Sequence, residues 1–95
     1  MPGNVNNLSV AFIQLDLKWI HIYCEEIIKA IRKKNLMKAH NNFYRLMRLI
    51  ENKSREVRRE LARIAYNKLR TMKKIPKIMR KHFAFFLLRL EELLD

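Results

Sequence analysis

The sequence predicts an all-α fold, a small antiparallel bundle of three to four helices, on three observations. Apolar residues recur every three to four positions along most of the chain, which is the helical period. The 95 residues include 1 Gly and 2 Pro and no Asn-Gly or Asp-Gly pair, so the usual residues of tight β-hairpins are missing. The helical segments are long and their links are short, which favours antiparallel neighbours. The length suits a single domain, predicted at 1–95.

The first helix is predicted at about 8–34, with Asn7 or Ser9 as its N-cap and Asn35 as the residue that ends it. Apolar residues cover most of its circumference in two stripes. Such a helix is either buried on more than one side or presents one stripe to a partner. The first stripe holds Leu8, Phe12, Leu15, Trp19, Tyr23 and Ile27, and the second holds Ile13, Leu17, Ile20, Cys24, Ile28 and Ile31.

The second helix is predicted at about 36–52 and the third at about 54–74, with Ser54 as the N-cap of the third. Residues 52–54 are a weak break, so one continuous helix through both segments is the alternative. The apolar stripes are Leu36, Ala39, Phe43, Leu46, Met47 and Ile50 in the second helix and Val57, Leu61, Ile64, Ala65, Leu69 and Met72 in the third.

The fourth helix is predicted at about 76–94. Pro76 marks its start, because proline fits the first turn of a helix and disrupts a helix interior. Its apolar stripe is Met79, Phe83, Phe86, Leu87, Leu90, Leu93 and Leu94.

The charge of the chain is strongly positive and unevenly placed. There are 21 Lys+Arg against 9 Asp+Glu, a net charge of +12, and residues 54–75 hold eight basic and two acidic side chains. On a helical projection, most basic residues of helices two and three lie opposite the apolar stripes. If the two helices are neighbours, these residues form one cationic surface. The candidate residues are Arg55, Arg59, Arg63, Tyr66, Arg70, Lys73, Lys74, Arg45, Arg48 and Lys38, with Lys77, Arg80 and Lys81 as candidates to extend the surface.

A surface with this imbalance repels itself, so we expect a polyanion to bind it. Arginine grips phosphate groups with paired hydrogen bonds, and release of counterions gives affinity without a sequence code. The expected partner is therefore nucleic acid, DNA or RNA, without strong sequence specificity. The alternative is a basic face that only keeps the chain solvated, but Glu56 and Glu60 are too few to balance the third helix.

Tyr66 lies in the middle of the basic face of the third helix and is a candidate to stack on a base or ribose. The alternative is an amphipathic tyrosine at the edge of the core.

Three apolar side chains are predicted to dock a partner. Trp19 belongs to the spare stripe of the first helix, and Phe85 and Leu88 lie on the outer side of the fourth. A small bundle normally hides such residues, so a larger protein partner or a second copy of the chain is expected to cover them.

The sequence predicts no catalytic residues, no metal site and no cofactor. His21, His40 and His82 do not form an HExxH or Glu-x-x-His pattern. His21 and Glu25 are four residues apart, but two ligands do not make a metal site. Cys24 is expected to be a small buried or half-buried apolar residue.

The sequence also lacks targeting signals. No stretch approaches the ~20 apolar residues of a transmembrane helix, and the first residues lack the basic start of a secretory signal. We expect a cytoplasmic protein without a transmembrane segment.

The leading hypothesis is a non-enzymatic, nucleic-acid-associated protein, a small basic accessory subunit of a larger replication, transcription or ribonucleoprotein assembly. One alternative is an adaptor that binds an acidic partner protein. The other is a peripheral binder of anionic membranes, since Phe85 and Leu88 lie near Lys77, Lys81 and Arg89 in the sequence.

Overall fold

The computed structural model describes residues 2–94, with the side chains of residues 14–94, and it confirms the predicted all-α bundle. The helices are α1 Pro2–Arg32, α2 Leu36–Glu51, α3 Arg55–Leu69 and α4 Arg80–Glu92. A 3₁₀ turn, Lys77–Met79, directly precedes α4. Residues 70–76 form no regular helix and make the longest link within the described chain.

Helices α1 and α2 form an antiparallel pair. Glu26, in the second half of α1, pairs with Lys38 at the start of α2, with 3.6 Å between Nζ and Oε2. Asp16, an earlier residue of α1, lies 3.2 Å from Nζ of Lys53, which follows the end of α2. The two helices therefore run side by side in opposite directions.

Helix α3 runs in the same direction as α1. Nζ of Lys68, near the end of α3, lies 2.8 Å from Oε1 of Glu25. Leu17 and Val57, earlier in their helices, line one apolar cavity between α1 and α3.

Helix α4 runs in the same direction as α2, which completes the antiparallel order. Phe43 of α2 stacks on Phe86 of α4 with ring centroids 4.4 Å apart. Farther along both helices, Glu51 lies 3.9 Å from Arg89. Helices α2 and α3 thus face each other across the core, with α1 on one flank and α4 on the other.

One apolar core joins all four helices. Two small residues of α3, Ala62 and Ala65, are fully buried and allow close packing there. Sγ of Cys24 lies 4.0 Å from the carbonyl oxygen of Ala65, so this thiol is buried as predicted. The largest fully buried side chains are Phe86, Ile20, Ile27, Ile31, Leu46, Ile50, Leu61, Leu69, Met79 and Leu90.

Helix α1 has different bounds from those predicted. It begins at Pro2, not near residue 8, so neither Asn7 nor Ser9 marks its start. The side chains of these two residues, and those of Leu8, Phe12 and Ile13 in the predicted stripes, lie outside the described side chains.

The turn between α1 and α2 explains why α1 ends at Arg32. Lys34 adopts a left-handed backbone with φ 59°. Its N–H donates to the carbonyl of Ile31 (3.1 Å), and the N–H of Asn35 donates to the carbonyl of Ala30 (2.8 Å), the two bonds of a Schellman motif. Asn35, predicted to end the first helix, instead caps the second, because its Oδ1 accepts a 3.1 Å hydrogen bond from the N–H of Lys38.

The later helix ends also differ from the prediction. Helix α3 ends at Leu69, five residues before the predicted position at 74, and the hydroxyl of Thr71 donates to the carbonyl of Lys68 instead of continuing the helix. Ser54 occupies the N-cap position of α3 without a side-chain capping bond. Pro76 precedes the 3₁₀ turn, so α4 proper starts at Arg80.

No helix in the described part of the chain has both the length and the apolar character to cross a lipid bilayer.

Candidate nucleic-acid interface

The basic residues of α2 and α3 lie on different sides of the bundle. Helices α2 and α3 each bury one side in the common core and lie across it from each other. Lys38 and Arg45 line the groove between α1 and α2, whereas Arg48 lines the groove between α2 and α4. The basic residues of α2 and α3 therefore do not form the one broad surface that the sequence suggested, because that surface required the outer sides of both helices to be adjacent.

Two of the three predicted contact residues of α2 are already engaged. Lys38 pairs with Glu26. Nη1 of Arg48 donates a 3.1 Å hydrogen bond to the hydroxyl of Tyr44, and its guanidinium lies 5.8 Å from the centroid of that ring. The bond to Tyr44 raises the pKa of Arg48. Arg45 is exposed and forms no ion pair with the side chains of residues 14–94.

The predicted arginines of α3 are all exposed. Arg55 and Arg59 have no carboxylate partner among the described side chains. Arg63 forms a close ion pair with Glu60, and this contact lowers the pKa of the Glu60 carboxyl group. Arg55 and Arg59 are therefore the α3 arginines most available to an external phosphate.

Tyr66 lies at the edge of the core, so its ring is not an open surface for stacking a base. Its half-buried ring packs against the core, and its hydroxyl donates a 2.7 Å hydrogen bond to Oε1 of Glu91. This bond raises the pKa of Tyr66. The guanidinium of Arg70 lies 5.8 Å from the ring centroid. Its hydroxyl and one approach to its ring are thus occupied within the chain.

A larger group of cations gathers at the end of the bundle where α1 ends and α4 begins, and we call this group the basic end. All of its members are exposed, and among the side chains of residues 14–94 none forms an ion pair. The basic end consists of Arg32, Lys33, Lys34, Arg70, Lys73, Lys74, Lys77, Arg80 and Lys81.

The fold brings these residues together from distant parts of the sequence. Lys34 of the α1–α2 turn lines an open groove of about 780 Å³ with Lys73, Lys74 and Arg80. A neighbouring groove places Arg32 beside the same two lysines. The predicted contacts Lys73 and Lys74 thus lie at the centre of the basic end, between the end of α1 and the start of α4.

The backbone adds to the positive potential at the start of α4. The N-terminus of a helix carries a partial positive charge that normally attracts Asp or Glu. Here the first turns of the 3₁₀ segment and of α4 contain no acidic residue, and they carry Lys77, Arg80 and Lys81. This arrangement is unfavourable for the isolated chain and favourable for a bound anion.

The segments that supply most of the basic end contain no acidic residue. No Asp or Glu occurs in residues 27–50 or in residues 61–90. Glu51 and Glu56 flank the α2–α3 joint at the opposite end of the bundle, and Asp16 pairs with Lys53 beside them. Glu25 and Glu91 approach the basic end from other segments. Glu25 pairs with Lys68 near the end of α3, and Glu91 accepts a hydrogen bond from Tyr66, whose ring lies beside Arg70.

The three predicted docking residues are exposed but lie in two places. Trp19 is 43% exposed and lines a groove between α1 and α2. Phe85 and Leu88, 46% and 55% exposed, lie on α4, where Phe85 lines a separate groove between α2 and α4. No single surface contains all three.

The histidine and cysteine side chains show no assembled reactive group. Nε2 of His40 lies 3.0 Å from Nδ1 of His82 across the α2–α4 contact. Burial raises the pKa of Cys24 to about 12, so the thiol stays protonated at neutral pH. Among the described residues, no group of three or more His, Cys, Asp and Glu is placed to hold a metal ion.

Sequence reasoning did not assign Arg32, Lys33 and Lys34 to the site. The useful signal was the 30-residue stretch without acid between Glu60 and Glu91, together with the basic run at the end of the first helix. Joining these two segments requires knowing that α1 and α3 run in the same direction, which apolar periodicity does not specify.

No protein family, curated protein or solved structure matches this chain.

Proposed function

We propose that this is a cytoplasmic, non-enzymatic protein that binds the phosphate backbone of nucleic acid at its basic end. Its role is that of a small basic accessory subunit in a larger replication, transcription or ribonucleoprotein assembly. The observation that carries the proposal is the set of nine exposed cations without a carboxylate partner among the described side chains. Their mutual repulsion destabilises the isolated fold, and a polyanion relieves it.

The chemistry of the basic end suits a phosphate backbone better than a single small anion. The cations are spread over the α1–α2 turn, the 70–76 link and the start of α4, so several phosphates in a row find partners. Backbone contacts of this kind carry no sequence information. Affinity then depends mainly on salt, and sequence preference is weak.

The arginines of α3 extend the proposed contact surface. Arg70 belongs to the basic end, and Arg59 and Arg55 lie four residues apart on one exposed side of α3. Arg45 lines the groove between α1 and α2, so a bound strand reaches it by a different path.

Binding to short labelled oligonucleotides, followed by fluorescence anisotropy at several salt concentrations, tests the proposal. With five or more phosphates engaged on a single strand, the log–log slope of affinity against salt is expected to be about −3.5 or steeper. A slope near zero would contradict backbone binding.

Two triple variants, each of which replaces three cations by three carboxylates, locate the surface that binds nucleic acid. The triple change Lys73→Glu, Lys74→Glu and Arg80→Glu reverses the centre of the basic end. The second variant reverses Arg55, Arg59 and Arg63, the α3 extension of the contact surface. We expect the first variant to lose binding and the second to weaken it less, with unchanged helix content by circular dichroism in both. Equal losses in both would show that net charge, rather than the basic end, determines affinity.

One observation favours a second function, the binding of anionic membranes. Ile78 is 72% exposed between Lys77 and Arg80, which places an apolar side chain among cations as in interfacial helices. Co-sedimentation with vesicles that contain phosphatidylserine separates the two functions. Binding to vesicles that is lost in Ile78→Ser, together with no binding to oligonucleotides, would favour the membrane.

A further inference from the structure

Trp19 and Tyr23 of α1 form one wall of the groove between α1 and α2. Their ring centroids are 5.7 Å apart and their planes are inclined by 31°. The groove has a volume of about 430 Å³, and the facing wall on α2 includes Asn41 and Arg45. Trp19 keeps 43% of its surface exposed, so a flat ligand can reach the indole.

The polar groups around this groove complement a nucleotide. Arg45 is exposed and free of ion pairs among the described side chains, so its guanidinium is available for a phosphate. Asn41 is exposed and offers both a donor and an acceptor for a base edge. Glu26 is the acidic residue that lines the groove, and Lys38 and Lys29 lie 3.6 and 3.9 Å from its carboxylate oxygens.

The α1–α2 turn lies between this groove and the basic end. Lys34 lines the groove at the basic end, and the next residue, Asn35, lines the groove that holds Trp19. The two grooves are therefore neighbours across a single turn of the chain.

From this juxtaposition we infer that the α1–α2 groove stacks an unpaired base on Trp19 while Arg45 and the basic end hold the adjoining phosphates, so that the preferred ligand is single-stranded nucleic acid. The inference rests on the proposed function and specifies its substrate. Stacking on an aromatic side chain requires a base face that a duplex keeps covered by its neighbours. Because every base has such a face, this site adds affinity for single strands without reading sequence.

The fluorescence of Trp19 gives a direct test, since the chain contains 1 Trp. Titration with a single-stranded oligonucleotide is expected to quench this fluorescence, whereas an abasic strand of the same length, which keeps the phosphates, is expected to bind with little quenching. Trp19→Ala is expected to weaken single-strand binding about tenfold and Trp19→Phe much less, by the usual contribution of one base stacked on an aromatic ring.

Phe85→Ala is the matched control, because Phe85 is an aromatic residue of similar exposure (46%) in a different groove. Its affinity for single strands is expected to stay within about twofold of the unchanged protein, since a contact outside the site contributes little. Duplex and abasic strands are expected to be insensitive to Trp19→Ala.

Different results overturn the inference and the proposed function. If salt-dependent binding is present but Trp19 is not quenched and Trp19→Ala binds as tightly as the unchanged protein, the groove is not a base site and the proposed function stands. If no strand binds in a salt-dependent manner, the proposed function fails and the inference fails with it. If Trp19→Ala turns a dimer into a monomer in sedimentation and leaves affinity unchanged, the groove is an interface between copies of the chain.

Discussion

Lys34 adopts a backbone conformation that suits glycine better than lysine. Its φ of 59° places it in the left-handed region, at the position after a helix where glycine is the usual residue. The side chain adds a cation to the basic end, beside Lys73, Lys74 and Arg80. Residue 34 therefore retains backbone strain at the point where its charge contributes to the proposed function.

Lys34→Gly is expected to stabilise the fold by about 1 kcal/mol, because glycine adopts the left-handed region without a steric cost from Cβ. Lys34→Ala removes the same charge and keeps Cβ, so it serves as the control. Urea denaturation followed by circular dichroism measures both. Equal free energies of unfolding for the two variants would show that charge, rather than backbone strain, sets the effect.

His40 is the residue whose environment links stability to pH. Burial, and then the positive charge of a protonated His82, lower the pKa of His40 in the folded protein. Its ring also packs edge-on against Phe86, with centroids 4.9 Å apart. The unfolded chain, with an ordinary histidine pKa of about 6.5, therefore takes up a proton at higher pH than the folded chain does.

The free energy of unfolding is expected to fall as pH decreases below about 6.5, and to stop falling once His40 is also protonated in the folded state. Denaturation between about pH 7.5 and 5 measures this dependence. His40→Gln is expected to flatten it because glutamine does not titrate. A wild-type stability that rises as pH falls through this range would contradict the assigned direction.

The N-cap positions of α2 and α3 hold residue types that both favour capping, yet the two side chains make different contacts. Asn35 caps α2 with its side chain, whereas Ser54 occupies the cap position of α3 without a side-chain hydrogen bond. Both residue types are favoured at N-caps, so the sequence ranks the two positions equally. The side-chain rotamer, set by the surrounding turn, decides which cap contributes.

Asn35→Ala is expected to destabilise the fold by about 1 kcal/mol, because it removes the acceptor for the N–H of Lys38. Asn35→Asp keeps the acceptor and places a carboxylate at a helix N-terminus beside many cations, so its stability is expected to equal or exceed that of the unchanged protein. Ser54→Ala is the control, with an expected change near zero. Thermal melting compares the three variants.

The sequence predicted the helices better than the rotation of each helix about its own axis. Apolar periodicity located all four helices, and Pro76 correctly indicated a boundary before the last one. In α3, however, the buried side includes Ala62, which was not in the predicted stripe, while Val57 and Ile64 are only half-buried. Apolar periodicity gives little weight to small residues, although they allow the closest packing. This rotation moved Tyr66 from the middle of a basic face to the edge of the core.

At the level of the whole molecule, the candidate site was less predictable than the fold. Lys73 and Lys74 were identified from helix three alone, whereas Arg32 and Lys34 join them only through the packing of α1 beside the 70–76 link. Contacts between segments some forty residues apart depend on helix direction and tilt. Neither quantity has a local sequence signal.

Repulsion at the basic end is expected to make stability rise with salt. Raising ionic strength from about 0.01 to 0.15 M shortens the screening length from about 30 to 8 Å, which weakens repulsion among the cations. Thermal melting at the two salt concentrations measures the change. The double change Lys73→Gln and Lys74→Gln is expected to raise the melting temperature at low salt and reduce its dependence on salt. A melting temperature that falls with added salt would mean that the ion pairs elsewhere dominate.

The nine cations of the basic end, with Asp16, Glu51 and Glu56 at the other end of the bundle, give this protein a permanent electric dipole. Near a negatively charged filament, the field exerts a torque on such a dipole and aligns the molecule before contact. Collisions then occur mostly at the basic end. Random orientation therefore lowers the association rate less than it does for an evenly charged bundle.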